Sequence, residues 1–302
     1  MGQQSNLLAV LATALVVAQN SWVASAAEPR PTGPLGYEAA QNYVLSLINR
    51  DRKAAGLPAV ALDKPGSEAA QRHARDMATH GFTGHIGTDG SVPEQRYSES
   101  GGVHFSQENA ACTFDAKPRK LEPAPRFDPA KLAALQKMFM DEKPPADGHR
   151  RNILTRSHNR VGIGLAQASD TNQPCLVQEF VDAYGEYDAL PQQARPHAKL
   201  RVAGSVSAPL MFGGIGISHA AAAKPLTVEQ VSGAKSYAIP SPDTLYFPEG
   251  FKTPKPVKLD KNRFSLDWEL PAKPGRYSVS VWAKEKGSSK LFMVSLRTLS
   301  VP

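Results

Sequence analysis

The sequence predicts an α-plus-β protein in which a mixed helix-and-strand domain precedes a smaller all-β domain. Three observations carry this expectation. Apolar residues recur at helical spacing in three segments before Pro144. Two short apolar runs, Arg160–Ala166 and Leu176–Ala183, then read as strands. Beyond Pro191 the helical spacing fades, and alternation replaces it. A chain of 302 residues with 41% hydrophobic content can bury a substantial core and fits two domains better than one.

The first segment reads as an export signal over residues 1–27. An apolar run from Leu7 to Ala18 precedes the small residues Ala24, Ser25, Ala26 and Ala27, which form an A-x-A-like cleavage site. Gln19 and Asn20 interrupt the run before the ~20 apolar residues a membrane span needs, so cleavage is expected and no transmembrane anchor after it. Residues 28–37 are rich in Pro and Gly and read as a linker.

The mixed domain is expected over residues 38–190. Its first helix runs from about Glu38 to Ala55, with Ala40, Tyr43, Val44, Leu47 and Ile48 at helical spacing and Gly56 as a left-handed stop. Asp63 or Ser67 caps a second helix that ends at Gly81 and turns Ala70, Ala74 and Met77 inward. Residues 83–107 show few periodic apolar positions and read as a long loop, as does the Pro-rich stretch 113–127. Asp128-Pro129 is an N-cap with proline at the first helical position. The helix it opens places Leu132, Leu135, Met138 and Phe139 on one face and ends near Glu142.

For residues 191–302 the expectation is an immunoglobulin-like β-sandwich. Phe264, Leu266, Trp268 and Leu270 alternate with polar residues, and Tyr277–Ala283 and Leu291–Val301 flank Gly287-Ser288-Ser289 as a hairpin.

The formal charge of +7 survives removal of the signal, since residues 1–27 carry no charged side chain. A basic exported chain is attracted to anionic envelope polymers or lipid headgroups, so contact with a membrane surface is compatible with it. No dense Lys/Arg stripe interleaved with aromatics points to nucleic acid. The two cysteines, Cys112 and Cys175, leave a disulfide and two buried thiols both open, with an oxidising compartment favouring the bridge.

The stretches that carry chemistry are Arg72-His73-Ala74-Arg75-Asp76-Met77-Ala78, Gly81-Phe82-Thr83-Gly84-His85, Gln107-Glu108-Asn109-Ala110, Phe139-Met140-Asp141-Glu142, Gly148-His149-Arg150-Arg151-Asn152-Ile153-Leu154 and Val161-Gly162-Ile163-Gly164. In this order they resemble the CAP (cysteine-rich secretory and pathogenesis-related, SCP) superfamily in its bacterial branch, over about residues 38–185. The resemblance implies a three-layer α/β/α sandwich and a cleft lined by two histidines and two glutamates. Matched position by position, these are His85, Glu108, Glu142 and His149, with His104 competing for the first place. Gln107 stands where the family has Gly, and Phe139 where many relatives carry Trp.

Two imidazoles and two carboxylates that converge can hold a divalent metal such as zinc, which makes all four candidate ligands. Glu108 and Glu142 are then the candidate bases of a metal-dependent hydrolase acting on a peptide, ester or glycan. The chain offers no G-x-S-x-G elbow, and Gly162 and Gly164 lie in an apolar strand pattern, not a phosphate loop. A binding module for a lipid, sterol-like or envelope-glycan ligand is therefore the favoured reading, ahead of a hydrolase or a structural and adhesion scaffold. The remaining histidines, His73, His80, His158, His197 and His219, read as core or surface side chains.

Overall fold

Residues 31–234 and 237–302 are described by a computed structural model. The expected export signal lies outside them, and so does the start of the linker. Helix α1 (Tyr37–Ala54) buries Ala40, Val44, Leu47 and Ile48 along one stripe, the face that its periodicity marks. After the short strand β1 (Ala61–Leu62), helix α2 (Lys64–His80) begins at Asp63, whose side chain accepts from the backbone N–H of Gly66. Asp63, and not Ser67, is the cap. Gly81 ends α2 in the left-handed region at φ 69°. A short helix α3 (Pro93–Glu99) and strand β2 (Phe105–Ala111) follow. Helix α4 (Pro129–Asp141), capped by Asp128, and the single-turn α5 (Gly148–Ile153) lead into strands β3 (Arg160–Gln167) and β4 (Pro174–Asp182).

These four strands form one sheet in the order β1-β3-β4-β2. Only β1 and β3 run parallel; β3–β4 and β4–β2 are antiparallel. Alternation along the strands sends Val161, Ile163, Leu165, Leu176 and Phe180 to one face, where they pack with α1 and α4. The opposite face presents Gly162, Gly164 and Val177 to α2. A Cβ at Gly162 would lie 2.0 Å from the Gly66 carbonyl carbon, and one at Gly164 would lie 2.1 Å from that of Ala70. The two glycines thus let the α2 backbone rest directly on β3. This is the α/β/α layering, with β2 at an edge of the sheet. A disulfide joins Cys112, just past β2, to Cys175 on β4.

The second part is a sandwich of two four-stranded antiparallel sheets. One has the order β5-β6-β10-β9, from β5 (Gly185–Tyr187), β6 (Lys199–Val206), β9 (Lys258–Asp260) and β10 (Arg263–Glu269). The other has the order β12-β11-β7-β8, from β7 (Met211–Ala220), β8 (Thr244–Tyr246), β11 (Gly275–Lys284) and β12 (Phe292–Val301). Phe264, Leu266, Trp268 and Leu270 point inward to one core with Val279, Val281 and Leu299, as the alternation predicts. A short helix α6 (Val228–Gly233) interrupts the β7–β8 connection.

The sandwich is docked on the first layer set, not tethered to it. In β12, Ser295 Oγ donates to Val103 O at 2.6 Å, and the Thr298 N–H donates to Ser98 Oγ at 3.0 Å. The β7–β8 connection returns as well: Leu226 N–H donates to Thr88 O at 2.8 Å, and Val231 is buried beside Phe82 and Met77.

Two expectations need correction. The stretch 83–107 is not one loop, because α3 and the start of β2 lie within it. Helix α3 buries Glu94 and Arg96, charged residues that apolar periodicity does not register. Met138 is 50% exposed, so the inner face of α4 is Leu132, Leu135, Gln136 and Phe139.

Two outcomes follow for stability. Gly164→Ala should lower the urea midpoint by an amount equivalent to roughly 1–3 kcal/mol or more, because the clash is with backbone that cannot rotate away. An unchanged midpoint would mean that α2 does not sit this close to β3. The double substitution Cys112→Ala/Cys175→Ala should cost about 2–4 kcal/mol, given a sequence separation of 63 residues. Unfolding curves with and without a reductant give the matching wild-type value.

Candidate functional site

The edge strand β2 organises the site. Glu108 and Asn109 are neighbours on it, so their side chains leave opposite faces of the sheet. Glu108 points to the α2 and α3 side. Its Oε1 meets His85 Nδ1 at 2.9 Å, and its Oε2 accepts from Arg96 Nη2 at 2.7 Å. His73 of α2 stands 3.8 Å from the same Oε1. The Glu108 side chain is 1% exposed and that of His85 29%, so the carboxylate is a buried anchor and the imidazole is what a ligand meets.

The second pair lies on the other side of β2. Glu142, the C-cap of α4, holds its Oε1 against His149 Nδ1. Its Oε2 accepts from the backbone N–H of His149 at 2.9 Å and of Arg150 at 3.3 Å. Phe139 packs at a tilt against the His149 ring at a centroid separation of 4.6 Å, so the phenyl ring supplies a packing wall at this position. The His149 carbonyl accepts from Asn109 Nδ2 at 3.2 Å, and this bond ties the second pair to the residue next to Glu108.

Asn109 belongs to a buried polar chain. Its Nδ2 also donates to Gln178 Oε1 at 3.2 Å, Gln178 donates to Gln136 at 2.7 Å, and Gln136 donates to Asp51 at 2.8 Å. In the other direction Asn152 Nδ2 donates to Asn109 Oδ1 at 2.9 Å, and Asn152 Oδ1 faces His158 Nε2 at 2.9 Å. His158 Nδ1 meets Asp182 at 2.6 Å. Asn152 therefore fixes the turn around His149, and His158 is a core side chain. Arg150 contributes through its backbone N–H.

The structure thus gathers the four sequence-derived residues as two imidazole–carboxylate pairs, one on each side of β2. Among the described residues, no group of three or more His, Cys, Asp or Glu side chains is placed to hold a metal ion. His104 sits elsewhere, edge-on to Tyr187 at 5.7 Å, so His85 is the partner of Glu108.

The residues that sequence reasoning missed are the ones that set the charge of the site. Burial raises the Glu108 pKa, but Arg96 first and then the two imidazoles outweigh it and hold the carboxyl at about 2. Glu179 is the register partner of Glu108 across β4 and faces the same way. Burial, followed by repulsion from Glu108, pushes it up to about 8. Two adjacent buried carboxyls are thus split into one anion and one neutral acid. His73, fully buried, is held at about 4, by burial first and then by Arg96, so it is neutral near pH 7. The position of Arg96 in a short polar helix leaves no periodic signal. The strand register that pairs Glu179 with Glu108 emerges only from the sheet.

The model of the cysteine-rich secretory protein family, CAP, matches residues 45–180. With the α/β/α layers and the paired His–Glu residues, this makes that part of the chain a CAP domain. The match covers less than half of the chain, and the sandwich lies beyond it. No curated protein matches the chain.

Several solved structures show similarity, among them the three that follow. An extracellular protein containing an SCP domain from Bacillus anthracis str. Ames is 21% identical with a TM-score of 0.35, over 48% of this chain and 40% of that one. An outer surface protein from Borrelia burgdorferi is 15% identical with a TM-score of 0.35, over 49% of this chain and 98% of that one. A chitin binding domain from Burkholderia pseudomallei is 12% identical with a TM-score of 0.24, over 38% of this chain and 58% of that one. The chain spans well under half the length of the Bacillus anthracis protein that it matches.

The split of the two carboxyls has a pH signature. Folded Glu179 keeps its proton up to about 8, whereas the ordinary value is 4.5, so stability falls as pH rises through that window. The limiting slope is about 1.4 kcal/mol per pH unit. Glu179→Gln, which mimics the neutral acid, should remove most of this loss when urea unfolding is compared at pH 5 and pH 8. An identical loss in the variant would assign the slope to another group.

Proposed function

We propose that the chain is an exported binding protein, and that the CAP domain holds the polar part of a cell-envelope ligand, a glycan or a lipid headgroup, against the imidazoles of His85 and His149. The observation that supports this over a hydrolase is the state of the carboxylates. Glu108 is buried, held at about 2 and occupied on both oxygens by His85 and Arg96. A base of that strength does not take a proton from water near neutral pH. Glu142 is likewise engaged by His149 and two backbone N–H groups. What remains outward is the Nε2 edge of each imidazole, a hydrogen-bonding group fixed in direction by the carboxylate behind it.

The same geometry sets how a divalent cation such as zinc would be held. Direct ligation by the two glutamates would compete with the hydrogen bonds that their oxygens already accept. The ring nitrogens of His85 and His149 are the groups left to hold one, each on its own side of β2 and each oriented by its own carboxylate. A cation there would supply positive charge for an oxygen of the ligand. Arg96 would still keep Glu108 ionised, and Phe139 would still back the His149 ring. Among the described residues, no helix is long and apolar enough to cross a membrane. Export rests on the signal-like first 27 residues and on the secretory character of the family.

Zinc titration by calorimetry separates these roles. His85→Ala and His149→Ala should each abolish or strongly weaken binding, while Glu142→Gln should weaken it roughly 10–100-fold. Affinity that survives in both histidine variants would sink the cation part of the reading. Retention of the chain on envelope glycan or on headgroup-bearing vesicles should fall in the same histidine variants. Turnover of a peptide, ester or glycan that disappears in Glu108→Gln would replace the binding reading with the enzymatic one.

A further inference from the structure

The charge of the chain is divided unevenly between its two parts. Residues 191–302 carry 16 Lys and Arg against 7 Asp and Glu, a formal +9, whereas the rest of the chain sums to −2. Exposed apolar side chains follow the same division. Among the described residues, five of the seven large ones lie in the sandwich: Met211, Leu245, Phe251, Leu259 and Leu291. Phe251 is the most open of all, at 65% exposure.

Several of these side chains meet the lysines at one end of the sandwich. Met211 starts β7 and pairs in register with Lys284 at the end of β11, so the turn over residues 285–291 stands beside it. That turn carries Lys286, Lys290 and Leu291, all exposed. The β9–β10 turn joins them, since Asn262 Nδ2 donates to Leu210 O at 2.7 Å. Beside Asn262, the exposed Lys261 has φ 54°, in the left-handed region that glycine or asparagine adopts more readily. A lysine is held there against backbone preference. Strand β8 is antiparallel to β7, with Tyr246 opposite Ile215, so the chain after it leaves toward the same end. It brings Phe247 and Phe251, whose rings lie 5.9 Å apart. Phe247 and Leu291 close on neighbouring positions of β7. A Cβ at Gly214 would lie 3.0 Å from the Phe247 ring, and one at Gly213 would lie 2.4 Å from Leu291 Cδ2. Strand β8 is also the edge opposite β12, the strand docked on Ser98 and Val103.

The charge of this end is net positive. Asp267 takes up Lys255, through its carbonyl, and Lys258, through its carboxylate. Lys252, Lys261, Lys284, Lys286 and Lys290 pair with no carboxylate among the described residues, and Glu249, Asp260 and Glu285 are the acids near them in the chain.

We propose that this end of the sandwich is a docking surface for an anionic lipid bilayer. Phe251, Leu291 and Met211 enter the headgroup boundary, and the lysines meet the lipid phosphates. Charge alone would suit any polyanion. Apolar side chains open among lysines gain only where an apolar phase lies beneath the negative charge. Lysine stems pack along such a boundary while their ammonium groups stay in water. A second copy of the chain would bring the same positive charge to the contact. The surface is separate from the imidazoles, and the inference does not rest on what they bind.

The test uses the full chain carrying Phe251→Trp, with vesicles of phosphatidylcholine alone or mixed equally with phosphatidylglycerol. Its emission, less that of the unaltered chain, should move to the blue on the mixed vesicles. Half-saturation should need at least about tenfold less lipid than on phosphatidylcholine alone. Added salt should weaken the response. Lys286→Glu/Lys290→Glu should raise the half-saturating lipid at least about tenfold, and Leu291→Ser several-fold. Equal response in these variants would overturn the proposal. Co-sedimentation without the emission shift would place the contact elsewhere, the CAP domain included. That result would overturn the proposal and leave the reading of His85 and His149 intact. The same shift on polygalacturonate, or on raising the protein concentration without lipid, would assign the surface to an acidic polymer or to a second copy. Either would overturn the bilayer.

Discussion

The structure of the site depends on one buried charge. Glu108 is an anion inside the protein, and an unpaired anion there would cost several kcal/mol. Arg96 from α3 and His85 from the loop after α2 converge on it, one to each oxygen. Removing either partner of a buried pair of this kind typically destabilises by roughly 3–5 kcal/mol. Helix α3, the loop that carries His85 and the edge strand β2 are therefore held in one arrangement by electrostatic need. That arrangement also keeps Glu179 neutral and His73 uncharged. The charges that offset the cost of burying Glu108, Arg96 first, make it a poor base and a good anchor.

Packing supplies the frame on which this charge is placed. With Gly162 and Gly164 admitting α2 to the surface of β3, His73 is carried to within 3.8 Å of Glu108. On the opposite face, Asn109 joins the chain of side-chain amides that runs from Asp51 to Asp182 and includes the carbonyl of His149. A rigid edge strand thus governs two imidazoles from two layers, each fixed by its own carboxylate. Docking of the sandwich against Ser98, Val103 and Thr88 adds support from outside, since α3 and the loop before it are clamped between two domains.

Much was legible in the sequence, because the relevant signals are local. The stripe Ala40, Val44, Leu47, Ile48 defines α1. Asp63 and Gly81 mark the ends of α2, and Asp128-Pro129 starts α4. The ordered motifs around His85, Glu108, Glu142 and His149 identify the residues of the two pairs. Alternation from Phe264 to Leu270 gives a sandwich strand. In each case the physics is a period or a cap that a single segment expresses.

What tertiary structure decided is who faces whom. Alternation on β2 sends Glu108 and Asn109 to opposite faces, so Glu108 meets His85 while Asn109 meets the His149 carbonyl. The roles of Arg96, His73 and Glu179 arise from contacts between segments far apart in the chain, and α3 stayed hidden because its buried residues are charged. Sequence fixes chemistry by residue type and spacing, whereas the protonation state and direction of a buried group depend on neighbours that only the folded chain assembles.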